Sequence, residues 1–233
     1  MFKAFGHHKA SILDGGLPRW DAEGFPVEKK PPVETKKSHY PTPTFDKDTV
    51  RSRETHSDVK LNRLSHLNLG YQQMLSNSCL NPSVDSNAEL VVDARSRVRQ
   101  VPLLDRFTFA DTNLFDFRYL GTDPEPRPGL SSGHIPHSLN IPFTSFLQTH
   151  TSPNSSIKYT TYRTTHEIGQ ALVDAVGAKQ LEQILKGERS IITSCGSGMT
   201  AGILWLGLKL LGVRKVGLYD EVNFIYIHVF PLT

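Results

Sequence analysis

The stretch from Ser190 to Leu211 constrains this chain more than any other. It passes from the apolar pair Ile191-Ile192 through Cys195-Gly-Ser-Gly198 into the apolar run Gly202-Ile-Leu-Trp-Leu-Gly-Leu-Lys-Leu-Leu211. That order reads as strand, tight polar loop and helix, with the helix over 201–211. The flanking segments repeat the alternation. Leu90 to Asp93 has the pattern of a buried strand, and residues 216 to 220 read as another. Thr164 with Glu167 forms a capping-box signature opening a helix with Ile168, Leu172, Val173 and Val176 on one side. Leu181, Ile184 and Leu185 predict a second, short helix. Strands alternating with helices predict an α/β fold, a parallel sheet flanked by helices. The Cys195 loop then lies at the carboxyl end of a strand, where such sheets bind ligands.

A lone cysteine is most often a small buried hydrophobe, but the neighbours of Cys195 argue otherwise. Gly196 and Gly198 permit close backbone approach, Ser197 adds a hydroxyl, and Thr200 is a candidate cap for the following helix. A thiol at a helix N-terminus, with loop N–H groups converging on it, is biased toward thiolate. Phosphatase chemistry would need an arginine six residues after the cysteine, and Ala201 stands there. A Cys-x-x-Cys redox pair is excluded because Gly198 occupies the second position. What remains is one nucleophilic sulfur in a cradle of neutral donors, which suits a persulfide. Cys79 and Cys195, far apart, make neither a disulfide framework nor a metal site, so no metal or cofactor is expected and a reducing compartment is the simplest setting.

Cys195-Gly-Ser-Gly-Met-Thr-Ala201 resembles the active-site loop of the two-domain rhodanese family, in particular its 3-mercaptopyruvate sulfurtransferase branch. Glu89-Leu-Val-Val-Asp-Ala-Arg95, Arg118 to Arg127, Gly133-His-Ile-Pro-His-Ser-Leu-Asn-Ile-Pro-Phe143 and Val216-Gly-Leu-Tyr-Asp220 resemble further family segments in the same order. The resemblance implies a rhodanese-like fold and a Cys195 persulfide that carries sulfur from 3-mercaptopyruvate or thiosulfate. The acceptor would be cyanide, a small thiol or a protein thiol such as thioredoxin. It implies Cys195 and Ser197 as catalytic residues, with Gly196, Gly198, Met199 and Thr200 lining the substrate. Arg118 and Arg127 would hold the substrate carboxylate, a task that suits the planar guanidinium fork. Cytoplasm or mitochondrion is the implied compartment. Two alternatives stay open: an inactive rhodanese-like binding module, and a thiosulfate-preferring rhodanese.

The head of the chain, with Leu13-Asp-Gly-Gly-Leu-Pro-Arg-Trp20, resembles the end of an N-terminal rhodanese domain, with Ala10 to Asp14 expected as a strand. Residues 1–28 are thus expected to be a remnant of such a domain, 29–48 a proline-rich linker, and 49–233 the catalytic domain. Within the last, residues 98–117 read as an insert, 61–64 as part of a helix and 76–87 as loop. The tail 221–233 departs from the family. These departures read as a faulty gene model, and a chain made as written is expected to be poorly stable and weakly active. A hydrophobic share of 38% with 21% charged residues is ordinary core-forming material. A net charge of +3 is too small for a nucleic-acid partner, and no run reaches membrane-spanning length. The Arg95, Arg97, Arg99 cluster is expected at the surface, although Arg95, which follows the Asp93 strand, reads as structural, and His134 is expected to hold the geometry of its turn.

Overall fold

The computed structural model describes residues 2–7, 9–29, 50–51, 69–95, 119, 133–153 and 155–219. The chain divides into two compact units: Met1–Lys47 with Leu147–Arg163, and Asp48–Phe146 with Thr164–Thr233.

Among the described residues the larger unit is built on a parallel sheet of five strands: β1 (Val50–Arg51), β2 (Leu90–Asp93), β3 (Leu139–Asn140), β6 (Ile191–Ser194) and β7 (Val216–Tyr219). Their order across the sheet is β1-β7-β6-β2-β3. The central strands β2 and β6 are buried at every residue, as expected of a parallel strand covered on both faces. Register aligns Asp93 with Ser194 and Ser194 with Tyr219, so three strands end level at the carboxyl edge. On one face Val91, Ile192 and Tyr219 pack with Ile135 and with Met74 of helix α2 (Leu69–Ser78). Helices α3 (Thr165–Val176), α4 (Ala178–Lys186) and α5 (Met199–Leu210) complete the unit. This is the expected α/β architecture, a parallel sheet with flanking helices.

Local chemistry accounts for these helix limits. The Thr164 hydroxyl accepts from the Glu167 amide at 3.3 Å, and the Glu167 carboxylate accepts from the Thr164 amide at 3.0 Å. That reciprocal cap starts α3 as expected, and Ile168, Leu172 and Val176 bury its inner stripe. Gly187, with φ 74°, closes α4 behind buried Leu181 and Ile184. Helix α5 is seated against a 3-10 turn, Phe143–Phe146. A Cβ on Gly207 would lie 2.4 Å from the ring of fully buried Phe146, so only glycine allows that approach.

The smaller unit joins α1 (Gly16–Ala22) to an antiparallel hairpin, β4 (Leu147–Thr151) and β5 (Lys158–Tyr162). The Asp14 carboxylate accepts from the Tyr162 amide at 3.0 Å, and the Ser152 hydroxyl donates to the Ala22 carbonyl at 3.5 Å. Among the described residues no helix is long and apolar enough to cross a membrane.

Several sequence expectations need correction. Ala10 to Asp14 is not a strand: Ile12 and Leu13 are exposed, and Asp14 ties to β5 through its side chain instead of a backbone ladder. The predicted loop at 76–87 begins later, because α2 continues through Ser78, whose hydroxyl closes it by donating to the Leu75 carbonyl. Thr200 does not cap α5. The N-cap is Gly198, with φ 75° and no side-chain cap, so Thr200 falls inside the first turn. Arg95 does not share a surface cluster: it is 3% exposed and paired with buried Asp93, in keeping with its reading as a structural residue. The helix expected around 61–64, the insert 98–117, the tail 221–233 and most of the linker lie outside the described residues.

Candidate active site

Strand β6 ends at Ser194, and the chain turns through Cys195-Gly-Ser-Gly198 into α5. The turn forms because Gly198 takes the left-handed conformation that the helix entry requires. The Cys195 sulfur accepts from the Ser197 amide at 3.5 Å, within the range for a sulfur acceptor. Cys195 itself is 2% exposed. Ser197 is exposed beside it, Gly196, Gly198 and Thr200 are half-buried, and Met199 stands 81% exposed at the start of the helix. The sulfur is thus covered, four residues ahead of the start of a 12-residue helix, while the Ser197 and Met199 side chains are exposed. Arg118 and Arg127 lie outside the described residues.

Next to Cys195, the edge of the sheet is held by a buried polar network. Asp93 and Arg95 form an ion pair at 2.6 Å, with the Arg95 Nε also donating to the Asp93 carboxylate at 3.0 Å. The same guanidinium donates to the Gly133 carbonyl at 2.6 Å. Asn140 donates to the Asp93 and Arg95 carbonyls at 3.1 and 2.7 Å. Beyond it, the His134 ring stacks on Tyr119 with centroids 4.4 Å apart, and His134 Nδ1 contacts the Tyr119 carbonyl at 2.8 Å. Tyr119 in turn donates its hydroxyl to the Ser138 carbonyl at 2.7 Å. His134 thus holds loop geometry, as expected. The Asp93–Arg95 pair was not foreseen as a neighbour of the cysteine. Its signal was present as Asp-x-Arg at the end of a strand, where a charged pair cannot stay buried unless it is internally matched.

No family model matches the chain. It is 29% identical over 221 residues to the 3-mercaptopyruvate sulfurtransferase of Mus musculus, covering 94% of this chain and 53% of that protein. It is 32% identical over 225 residues to thiosulfate/3-mercaptopyruvate sulfurtransferase 2 of Arabidopsis thaliana, covering 94% of this chain and 52% of that protein. Among solved structures it resembles SseA of Escherichia coli, a 3-mercaptopyruvate sulfotransferase of the rhodanese fold. The TM-score is 0.57 at 25% identity, with 95% of this chain and 59% of that chain covered. The chain spans about half the length of the curated relatives it matches. On these likenesses the chain has the rhodanese fold and is similar, over about half of their length, to 3-mercaptopyruvate and thiosulfate/3-mercaptopyruvate sulfurtransferases.

Proposed function

We propose that this chain is a sulfurtransferase that moves one sulfur atom from 3-mercaptopyruvate, or from thiosulfate, through a persulfide on Cys195. The observation that carries this reading is the cysteine sulfur at a strand's carboxyl end, with the Ser197 amide on it and the α5 N-terminus behind it. Both are donors suited to hold the charge of a persulfide anion.

In the first half-reaction the Cys195 thiolate attacks the sulfur of 3-mercaptopyruvate. A sulfur–sulfur bond forms and the donor's carbon–sulfur bond breaks, its electron pair leaving with the carbon as pyruvate enolate. The enolate takes up the donor's thiol proton, for which the exposed Ser197 hydroxyl is the relay. The persulfide charge rests on the loop amides from Gly196 to Thr200, in the manner of an oxyanion hole. In the second half-reaction an acceptor thiolate attacks the outer sulfur and restores the Cys195 thiolate, giving ping-pong kinetics. Arg118 and Arg127 are the partners proposed for the donor carboxylate, and Met199 and Thr200 complete the rim. The acceptor is a small thiol or a protein thiol such as thioredoxin, in the cytoplasm or the mitochondrion. In domain terms, residues 1–28 resemble the end of an N-terminal rhodanese domain, 29–48 are the linker and 49–233 the catalytic domain, whose residues 147–163 group with the smaller unit.

One observation favours a second reading, a rhodanese-like binding module without turnover: Cys195 is 2% exposed. Incubation with 3-mercaptopyruvate or thiosulfate, followed by peptide mass spectrometry, separates the two. Sulfur transfer adds the mass of one sulfur atom to the Cys195 peptide, and Cys195→Ser abolishes the gain. A folded chain that takes up no sulfur from either donor is the binding module.

A further inference from the structure

The Ser194–Cys195 peptide carries the reactive residue, and it is held from across the sheet. The Ser194 carbonyl accepts from the Ala94 amide at 2.8 Å. Because a peptide unit is planar, fixing that oxygen also fixes the direction in which the Cys195 Cα leaves the strand. Ala94 is itself pinned on its other side, its carbonyl accepting from the Phe143 amide at 3.0 Å. Its two neighbours are Asp93 and Arg95, 0% and 3% exposed. The Asp93 carboxylate accepts from both the Arg95 amide, at 2.9 Å, and the Arg95 guanidinium. The guanidinium reaches on to Gly133, and the Asn140 side chain bridges the carbonyls on either side of Ala94.

Burying such a pair does little for stability, since apolar residues of the same volume commonly serve as well. Three anchors converging on one alanine have a geometric result instead: the Ala94 amide has a single position from which to hold Ser194. The geometry points to Arg95 as a positioning residue for the sulfur-carrying loop, acting through Asp93 and Ala94 on the peptide that bears Cys195. The inference rests on the sulfur-transfer reading above. Arg95 does not touch the sulfur in this scheme. Its planar fork serves two acceptors at once, the Asp93 carboxylate and the Gly133 carbonyl, which a lysine ammonium does not reproduce in the same plane.

The test is Arg95→Lys in the full chain, which keeps a cation beside Asp93 and removes the fork. The first readout is the iodoacetamide rate at Cys195, resolved by peptide mass spectrometry, with exposed Cys79 of the same molecule as internal reference. The second is kcat and KM for 3-mercaptopyruvate. A displaced loop lowers kcat on the order of tenfold, against the roughly hundredfold cost of a 1 Å misplacement in a reacting geometry. It leaves KM within about twofold, and it changes the Cys195 to Cys79 rate ratio at unchanged folded fraction. Should Arg95→Lys not fold, Asp93→Asn is measured in the same way, with the same expectation. A folded variant with the wild-type rate ratio and kcat overturns the proposal, as does failure of both variants to fold, which would make the pair a folding determinant. A wild-type chain that takes no sulfur from either donor refutes the transfer reading alone, because the alkylation ratio still decides whether Arg95 positions the loop.

Discussion

Replacing Gly207 by alanine tests how tightly the helix behind the sulfur is seated. A Cβ built there lies 2.4 and 2.6 Å from two carbons of the Phe146 ring, closer than such contacts ever stand. Phe146 is fully buried, so its ring has no solvent-side space into which to turn. Overpacking a well-filled core costs about 1–3 kcal/mol. Two ring contacts this short put Gly207→Ala at the upper end of that range. Alanine returns about 1 kcal/mol through its better helix propensity. The net expectation is a loss of about 2 kcal/mol, or a fall of about 4–8 °C in melting temperature for a chain of this size. Calorimetry on Gly207→Ala, Phe146→Leu and the double variant measures the coupling directly. The double variant is expected to recover part of the loss, with an interaction energy of about 1 kcal/mol or more. Since α5 begins at the Cys195 loop, Gly207→Ala is also expected to slow persulfide formation in the fraction that remains folded. A Gly207→Ala chain as stable as the parent would refute the reasoning, because it would mean that the helix can step away from Phe146 without cost.

Three other outcomes follow from particular residues. His137 occupies the third position of the turn Ile135–Ser138 with φ 60°, after Pro136, in a turn closed by the Ser138 amide on the Ile135 carbonyl at 3.0 Å. Left-handed backbone costs a side-chain-bearing residue about 1–2 kcal/mol, and glycine gives back part of that through unfolded-state entropy. His137→Gly should therefore raise stability by about 0.5–1 kcal/mol in denaturant melts. Thr164→Ala removes one half of the α3 cap and should cost about 1 kcal/mol, with Thr164→Ser close to the parent in the same assay. Burial, and then the nearby Asp14 carboxylate, push the Tyr162 hydroxyl up to about 12. Its folded value thus exceeds the unfolded value of about 10, so its contribution is whole below that pH and is lost as pH rises through the folded value. Ultraviolet titration should show a late-ionising phase that is lost in Tyr162→Phe and moves down, though not back to the ordinary value, in Asp14→Asn. Stability should fall across the same alkaline window.

The parts of the fold legible from sequence are those in which one residue's environment follows from its own neighbours. Leu90 to Asp93 and Ile191 to Ser194 announce buried strands by unbroken apolar starts, and Thr164 with Glu167 announces a helix by a bond closed within four residues. The hairpin of Leu147–Thr151 and Lys158–Tyr162 gives no such sign. It is rich in polar and threonine positions, four of its ten residues are exposed, and its apolar alternation is weak. Its companions are residues far upstream, such as Asp14 on the Tyr162 amide. Ala10 to Asp14 misleads for the same reason, since extended residues become a strand only where another strand is there to pair.

The site divides along the same line. Two glycines around a cysteine mark a loop that can wrap a sulfur, and that can be read in a single window of residues. How deep the sulfur lies cannot, because 2% exposure depends on the way the loop closes over the sheet edge. Nor can the burial of Arg95, whose partners at Gly133 and Asn140 are brought to it only by the register of β2 with β3. Register also sets Asp93 level with Ser194, so that the charged pair borders the peptide that holds Cys195. A sequence motif can therefore name the reacting atom, while the groups that aim it come from strands that meet only in the folded sheet. That is why Arg95, a buried residue just past the end of a strand, is the substitution that tests whether the sulfur is aimed at its donor.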